Sequence, residues 1–226
     1  MITPLIEYLS GFVSEHKIEL FKRVIDFRTR YLTVVLENIY QAQNASAVIR
    51  SCECFGIQDL HIIENNNNYR INPDVALGSH QWLNIYRYNQ HKNNTSEALK
   101  QLREKGYRIV ATTPHHSQVN LDAFDLEKGK AAFFFGNEHH GLSPEVLDSA
   151  DEYLTIPMFG FTESLNISVS AAIVLNNLCK RLRMDNHIDW QLNLLEQQEI
   201  LLQWYKNAIK DADGIIRHYF SKHTEE

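Results

Sequence analysis

Short apolar runs alternate with helical patterns along residues 31–183 of the chain. The runs are rich in branched and aromatic residues, which predicts buried strands at residues 31–37, 59–64, 82–88, 107–113, 131–136 and 152–158. Apolar positions recur with helical spacing in the stretches between them, chiefly at residues 45–55, 96–105 and 166–183. This alternation predicts an α/β fold with a mainly parallel sheet that helices cover.

Both ends of the chain have helical patterns. A basic N-terminal helical extension is predicted over residues 1–30, and a C-terminal helical extension over residues 184–226. No linker rich in Pro, Gly or Ser divides the chain, so we predict one α/β domain, residues 31–183, flanked by these two extensions. The tail is acidic and aromatic, and its role stays open.

The net charge of −6 excludes a generally basic nucleic-acid binder, so local charge matters more. Cationic residues gather before the first strand, either on a solvated face or at a phosphate contact, at Lys17, Lys22, Arg23, Arg28 and Arg30. A second basic cluster, residues 180–183, ends the last predicted helix of the domain. No run approaches the ~20 apolar residues of a membrane span, and the N-terminus lacks signal-peptide features, so we expect a cytoplasmic protein without membrane contact.

Cysteine and histidine patterns do not predict a metal centre. The odd set of Cys52, Cys54 and Cys179 argues against a disulfide scaffold, and buried or semi-buried thiols are the favoured interpretation. The adjacent histidines at 139–140 and at 115–116 have no Cys or His at ligand spacing. We therefore predict no metal.

Small and polar residues follow three of the predicted strands. Ligands of open parallel sheets bind beyond the carboxyl ends of the strands, so these are candidate sites. Gly136, Gly141 and Gly160 would let backbone approach a ligand closely. A nucleotide-binding glycine motif, a Walker loop and a hydrolase elbow are all missing from the sequence. Ser164 has no His/Asp set for nucleophilic catalysis, and a helix N-cap is its simpler interpretation.

The first of these segments reads E-N-x-x-x-x-x-N-A-S-A-V-I-R from Glu37 to Arg50. The second reads F-G-N-E-x-x-G-L-S from Phe135 to Ser143, and the third reads I-P-M through S-L-N-I-S-V-S from Ile156 to Ser170. In this order the segments resemble motifs one, two and three of the SpoU class of RNA methyltransferases. Three motifs in order, each at a strand end, make a specific resemblance over about residues 31–183.

The resemblance implies a fold and a cofactor. Members of this trefoil-knotted (SPOUT) superfamily have a six-stranded parallel sheet with helices on both faces, bind S-adenosyl-L-methionine (AdoMet) among the knot loops and form homodimers. By motif position, the residues implied to line the AdoMet pocket are Thr112, Gly136, Ile156, Met158, Ser164 and Leu165. The activated methyl group on sulfur requires no metal.

The resemblance also implies the polar residues of the reaction, which are Asn44, Arg50, Glu138, Ser164 and Asn166. A ribose 2′-hydroxyl must lose its proton as it attacks, and the pKa of arginine is too high for it to act as an ordinary base. Arg50 is expected to grip an RNA phosphate, and that pair to orient the hydroxyl and accept or relay its proton. Asn44 and Asn166 have helix or loop capping as their alternative.

Short extensions at both ends resemble those of members that methylate a D-loop guanosine of tRNA. With the motifs present, the basic segment from Lys17 to Arg30 is expected to contact phosphates, as is Arg50. The substrate predicted is therefore tRNA, at guanosine 18. Two alternatives stay open, namely the same chemistry on rRNA or at another tRNA position, and a non-catalytic RNA-binding protein of this fold.

Overall fold

The strands of the chain lie side by side in one parallel sheet. The computed structural model describes residues 2–114 and 119–223, and within them the strands are β1 (Leu32–Glu37), β2 (Asp59–Ile63), β3 (Asn84–Tyr88), β4 (Arg108–Thr112), β5 (Val119–Asn120), β6 (Ala131–Phe135) and β7 (Glu152–Thr155). Their spatial order is β3-β2-β1-β6-β4-β7-β5, with parallel pairing throughout. The six predicted strands are confirmed. The sheet has a seventh strand, β5, at one edge.

The helices within residues 29–190 cover both faces of this sheet. In chain order the helices of the described residues are α1 (Ile2–Ser10), α2 (Glu15–Ile25), α3 (Ala42–Cys54), α4 (Pro73–Ala76), α5 (Thr95–Glu104), α6 (Pro144–Ser149), α7 (Ile167–Met184), α8 (Leu194–Ala208) and α9 (Ala212–His223). Side chains alternate along each strand, so Phe133 and Phe135 of β6 enter one apolar core and Phe134 enters the other. The first core includes α3 and α7, and the second includes α5 and α6.

Several local predictions are confirmed by helix ends. Gly56 has a φ of +78°, the left-handed conformation expected after α3. Ser143 caps α6, because its Oγ accepts a hydrogen bond from the Val146 N–H at 3.3 Å. The suggested cap role of Ser164 is wrong, since Asn166 is the N-cap of α7 and its side chain accepts from the Ser168 N–H.

The chain divides into two compact units, residues 29–190 and a helical unit made of residues up to Arg28 with residues from Gln191 onward. In the helical unit, α1 packs against α8 and α9, and α2 packs against α8. The Phe21 ring lies 5.5 Å from that of Trp204 and 5.2 Å from that of Tyr205, centroid to centroid. Trp204 and Tyr205 of the C-terminal tail therefore pack on α2.

Candidate active site

The predicted cofactor residues follow neighbouring strands. β6, β4 and β7 are adjacent and parallel, with Ala111 opposite Phe134 and Thr112 opposite Leu154. Their carboxyl ends therefore meet at one edge, where Thr112 ends β4 and where Gly136 and Ile156 lie just beyond β6 and β7. The Thr112 hydroxyl donates to the Phe134 carbonyl at 2.6 Å, which ties β4 to β6 at this edge.

The motif-two loop, residues 137–143, folds back on the strand before it. Asn137 and Gly141 exchange two backbone hydrogen bonds of 2.9 and 2.8 Å. A Cβ atom added to Gly136 would lie 2.2 Å from the Gly141 carbonyl carbon and 2.3 Å from the Leu142 nitrogen. The close backbone of the loop therefore explains why position 136 needs a glycine. This reason comes from the fold itself and does not depend on the close approach of a ligand that the sequence suggested.

Glu138 of this loop holds the start of α3. Its carboxylate accepts hydrogen bonds from the backbone N–H groups of Tyr40 at 2.9 Å and Gln41 at 3.2 Å, and from Asn44 Nδ2 at 2.7 Å. The N-cap residue of α3, Gln41, makes no side-chain cap of its own. Glu138 therefore supplies the negative acceptor that a helix N-terminus favours.

Asn44 extends this contact to motif three. Its Oδ1 accepts from Asn166 Nδ2 at 3.1 Å, and Asn166 Oδ1 accepts from the Ser168 N–H at 2.9 Å and from its hydroxyl at 2.6 Å. Glu138, Asn44, Asn166 and Ser168 thus form one polar network, which joins the three motifs across 122 positions of sequence between Asn44 and Asn166.

Arg50 lies on α3, six positions after Asn44, and is exposed. Within the described part of the chain its guanidinium makes no hydrogen bond and no ion pair. A guanidinium left unpaired in this way has five N–H donors available for an anion.

The motif-three loop, residues 156–166, is open to solvent along most of its length. Phe159 and Phe161 are fully exposed, Ser164 and Leu165 are exposed, and Met158 is half-buried. Among the described residues, the backbone groups of positions 156–165 form no hydrogen bonds with other backbone groups. The structure thus brings Asn44, Glu138 and Asn166 together but leaves the Ser164 side chain outside their network.

Two buried or strained residues at the end of β1 were not singled out from the sequence. Glu37 is buried, and its carboxylate accepts from the hydroxyls of Thr95 at 2.8 Å and Ser143 at 2.7 Å. Asn38 has a φ of +54°, and its carbonyl oxygen accepts from the Asn137 amide at 2.7 Å. Glu37 and Asn38 are the E-N pair that opens motif one, so the motif itself contained the signal. Asn137 binds the end of β1 to the motif-two loop through this hydrogen bond.

The basic segment divides into free and occupied side chains. Lys22 and Arg23 are exposed on α2, and Lys17 is half-buried. The RNA contact predicted for Arg28 is contradicted by its burial. The residue is only 1% exposed, and its guanidinium lies 5.2 Å from the Trp204 ring centroid. Arg30 is partly buried, and its Nε lies 3.2 Å from the Asp59 carboxylate, so that carboxylate already compensates its charge.

The second basic cluster has a structural role. Arg181 donates to the carbonyl groups of Leu121 at 3.1 Å and Phe124 at 2.5 Å. Arg183 donates to the Phe55 carbonyl at 2.5 Å, and its guanidinium lies 5.9 Å from the Trp190 ring centroid. Both guanidinium groups thus bind backbone carbonyl groups within residues 29–190, so these two residues do not simply form a solvated face.

From the phosphate contacts predicted for Lys22 and Arg23, we expect that their replacement with alanine weakens RNA binding and flattens its salt dependence. Each phosphate contact contributes about 0.7–0.9 to the slope of log affinity against log salt. Arg28→Ala is the control, since loss of a buried side chain should lower stability and leave the slope unchanged. Binding titrations over a series of salt concentrations measure this. An unchanged slope for the double variant would show that Lys22 and Arg23 only face solvent.

Acid should release the contact between Glu138 and α3. Burial opposes its ionisation, but the Asn44 amide and the backbone N–H groups outweigh burial, so the pKa of Glu138 lies below the ordinary 4.5. Its stabilising contribution is therefore complete above about pH 4.5 and is lost as pH falls through the lower folded value. Glu138→Gln should lower the free energy of unfolding by about 1 kcal/mol at neutral pH, and by less in acid. Urea denaturation across this range measures both, and a difference that grows in acid would contradict the assignment.

The cysteines of the domain lie away from this network and form no disulfide bond among the described residues. Cys52 and Cys179 are buried thiols outside any disulfide bond, and burial raises the pKa of Cys179 to about 11, whereas Cys54 is exposed. Within residues 2–114 and 119–223, no cluster of His, Cys, Asp or Glu could hold a metal ion. His115 and His116 lie outside the described residues. The helices described include none with the length and apolarity to cross a bilayer.

Comparisons with known proteins give the family. The model of the SpoU rRNA Methylase family matches residues 31–176. A tRNA (guanosine(18)-2′-O)-methyltransferase of Borreliella burgdorferi is 45% identical over 92% of this chain and 92% of its own length. The enzyme of that name from Aquifex aeolicus is 32% identical over 91% of this chain and 95% of its own length.

A solved structure agrees with these relatives. The crystal structure of the A. aeolicus TrmH/SpoU tRNA modifying enzyme matches with a TM-score of 0.76 at 28% identity, and covers 86% of this chain and 98% of that one. The matched span of the family model includes motif one, motif two and the start of α7. Glu138, Asn44 and Asn166 all lie within this matched span, and the chain belongs to the SpoU methylase family.

Proposed function

We propose that the chain transfers a methyl group from AdoMet to the 2′-oxygen of a ribose in tRNA, at guanosine 18. The observation that carries this is the network of Glu138, Asn44 and Asn166, which joins the three motifs. Arg50 follows on the same helix, and among the described residues no side chain pairs with its guanidinium. Relatives that match more than nine-tenths of the chain have names stating this activity, which supports the same substrate here.

The residues at the edge of β6, β4 and β7 fit AdoMet. Among the described residues, the backbone N–H and C=O groups of the motif-three loop form no hydrogen bonds with other backbone groups. Leu165 of the same loop is exposed beside them. Such groups can hydrogen-bond an adenine, a ribose and an amino-acid moiety, while Ile156 and Met158 offer apolar contact. Thr112, Gly136 and Ser164 complete the proposed pocket. When bound, AdoMet supplies a methyl group already activated on a sulfonium.

Arg50 would position the attacking oxygen. Its planar fork can bind an RNA phosphate in two places and so fix the adjoining ribose. The proton of the 2′-hydroxyl would pass to this phosphate and then to solvent, because the arginine itself stays protonated. Asn44, Glu138 and Asn166 hold α3 and the two loops in place, so that positioning and charge stabilisation carry most of the acceleration.

A homodimer, a trefoil knot and a cytoplasmic location belong to the same proposal. The dimer is supported by exposed apolar side chains along the motif-three loop and α7, which a second copy of the chain would cover. These side chains are Phe159, Phe161, Leu165, Val169 and Ile173. Sedimentation equilibrium should give twice the chain mass of 26.3 kDa, and a monomer at high concentration would exclude the dimer.

Mapping the modified nucleotide tests the function. Labelled AdoMet is incubated with the protein and with bulk tRNA or rRNA, and the labelled nucleotide is then located. Label confined to guanosine 18 of tRNA is the expected result. Label in rRNA or at another tRNA position would replace the substrate, and binding of RNA without any transfer would replace the activity.

A further inference from the structure

A cleft of about 470 Å³ opens beside the network. Its walls come from the ends of β1, β2 and β6, with Tyr40 on one side and the motif-two loop on another. This volume lies within the range of about 300–1,000 Å³ that small-ligand sites occupy. The Tyr40 N–H donates to Glu138 of the motif-two loop, so the cleft and the network share their supports.

The side chains that line this cleft favour a nucleobase over a phosphate. They are mainly amides and rings, namely Asn38, Asn66, Asn67, Asn137, Tyr40, His139 and His140. The described lining contains no Lys or Arg, which a phosphate site would use. Its carboxylate, Glu37, is already occupied by Thr95 and Ser143. Proteins recognise unstacked RNA bases with rings that stack on them and with polar groups at their edges.

Tyr40 is placed as a stacking surface. Its side chain is 64% exposed, and its ring lies 5.6 Å from that of His139 in an edge-to-face arrangement. The backbone beneath is fixed, because the Tyr40 N–H donates to Glu138 Oε2 at 2.9 Å. A large exposed ring on a fixed backbone loses little entropy when a base stacks on it.

Asn66 is placed to bond with the edge of a base. Asn38, in its left-handed conformation, accepts through Oδ1 from the backbone N–H groups of Asn65 at 2.8 Å and Asn66 at 2.9 Å. The backbone of Asn66 is thus held, while its side-chain amide makes no hydrogen bond within the described part of the chain. That amide offers both donors and an acceptor.

We propose that this cleft receives the purine base of the target nucleotide, turned out of the tRNA loop, with Tyr40 stacking on the base and Asn66 bonding to its edge. This inference rests on the proposed function and names the residues that select its substrate. A base held here keeps its own ribose, joined by a single bond, near the loop that carries Glu138.

A binding cycle between protein and RNA tests this proposal without turnover. Two tRNA transcripts are compared, with guanosine or an abasic nucleotide at position 18, in the presence of S-adenosylhomocysteine. Tyr40→Ala should weaken binding of the guanosine transcript about tenfold and leave binding of the abasic transcript unchanged. Tyr40→Phe keeps the ring and should bind normally. Asn66→Ala should weaken binding of the guanosine transcript, whereas Asn68→Ala, an exposed neighbour outside the cleft lining, should not.

Three results would overturn the proposal. The first is equal weakening of both transcripts by Tyr40→Ala, the second is no weakening of either, and the third is weaker binding of AdoMet by this variant. Failure of the proposed function is recognised separately, because it is an absence of methyl transfer by the unaltered protein, and the binding cycle is still decisive in that case.

Discussion

Arg50→Ala is expected to abolish methyl transfer, with a loss of about 10³-fold or more in turnover. The substitution removes the one contact proposed to fix both the phosphate and the attacking hydroxyl. Because Arg50 is exposed and forms no hydrogen bond within the described residues, its loss should leave the fold and the network of Glu138, Asn44 and Asn166 intact. Single-turnover transfer from labelled AdoMet to tRNA measures the loss.

Two comparisons separate this role from general damage. AdoMet binding by Arg50→Ala should be unchanged, since the proposed cofactor pocket lies on other loops. Arg50→Lys keeps the positive charge but loses the planar fork, so an intermediate rate is expected. Near-normal turnover by Arg50→Ala would remove Arg50 from the mechanism.

Gly136→Ala is expected to disrupt the motif-two loop and with it the activity. The added methyl group would lie 2.2–2.4 Å from backbone atoms of Gly141 and Leu142, and backbone cannot move aside as a flexible side chain can. Overpacking of this kind costs about 1–3 kcal/mol or more in the free energy of unfolding. Displacement of the loop would also withdraw Glu138 from the start of α3, so transfer should fall further than stability alone explains.

Gly160→Ala is the matched control. A Cβ atom at Gly160 meets nothing within 4 Å, and the residue belongs to the neighbouring motif-three loop. Its free energy of unfolding should change by less than about 0.5 kcal/mol. Thermal and urea denaturation measure both variants. Equal stability of Gly136→Ala and the unaltered protein would show that the loop does not fold back as described.

The centre of the sheet could be predicted because β1, β2 and β6 are buried on both faces. Ala131–Phe135 and Leu32–Glu37 are almost continuous apolar runs, as central parallel strands are. β5 could not be predicted in this way, since its two residues are too short for any pattern. Periodicity also gives no strand order, so the adjacency of β6, β4 and β7 came only from the structure.

Part of the candidate site was accessible from the motifs and part was not. Asn44, Glu138 and Asn166 were identified by their motif positions, but their mutual hydrogen bonds depend on contacts between distant segments. The charge pattern could not show that Arg28 is buried, because Trp204, which packs against its guanidinium, lies near the other end of the chain. The local sequence shows which side chains are charged, whereas the burial of a side chain depends on the distant segments that pack against it.

Calorimetric titration of the purified protein with AdoMet decides whether the chain binds a methyl donor. We expect saturable binding at one site per chain, weakened by Gly136→Ala and unaffected by Arg50→Ala. If the folded protein showed no affinity for AdoMet, the edge of β6, β4 and β7 would not be a methyl-donor site, and the proposed reaction would be contradicted.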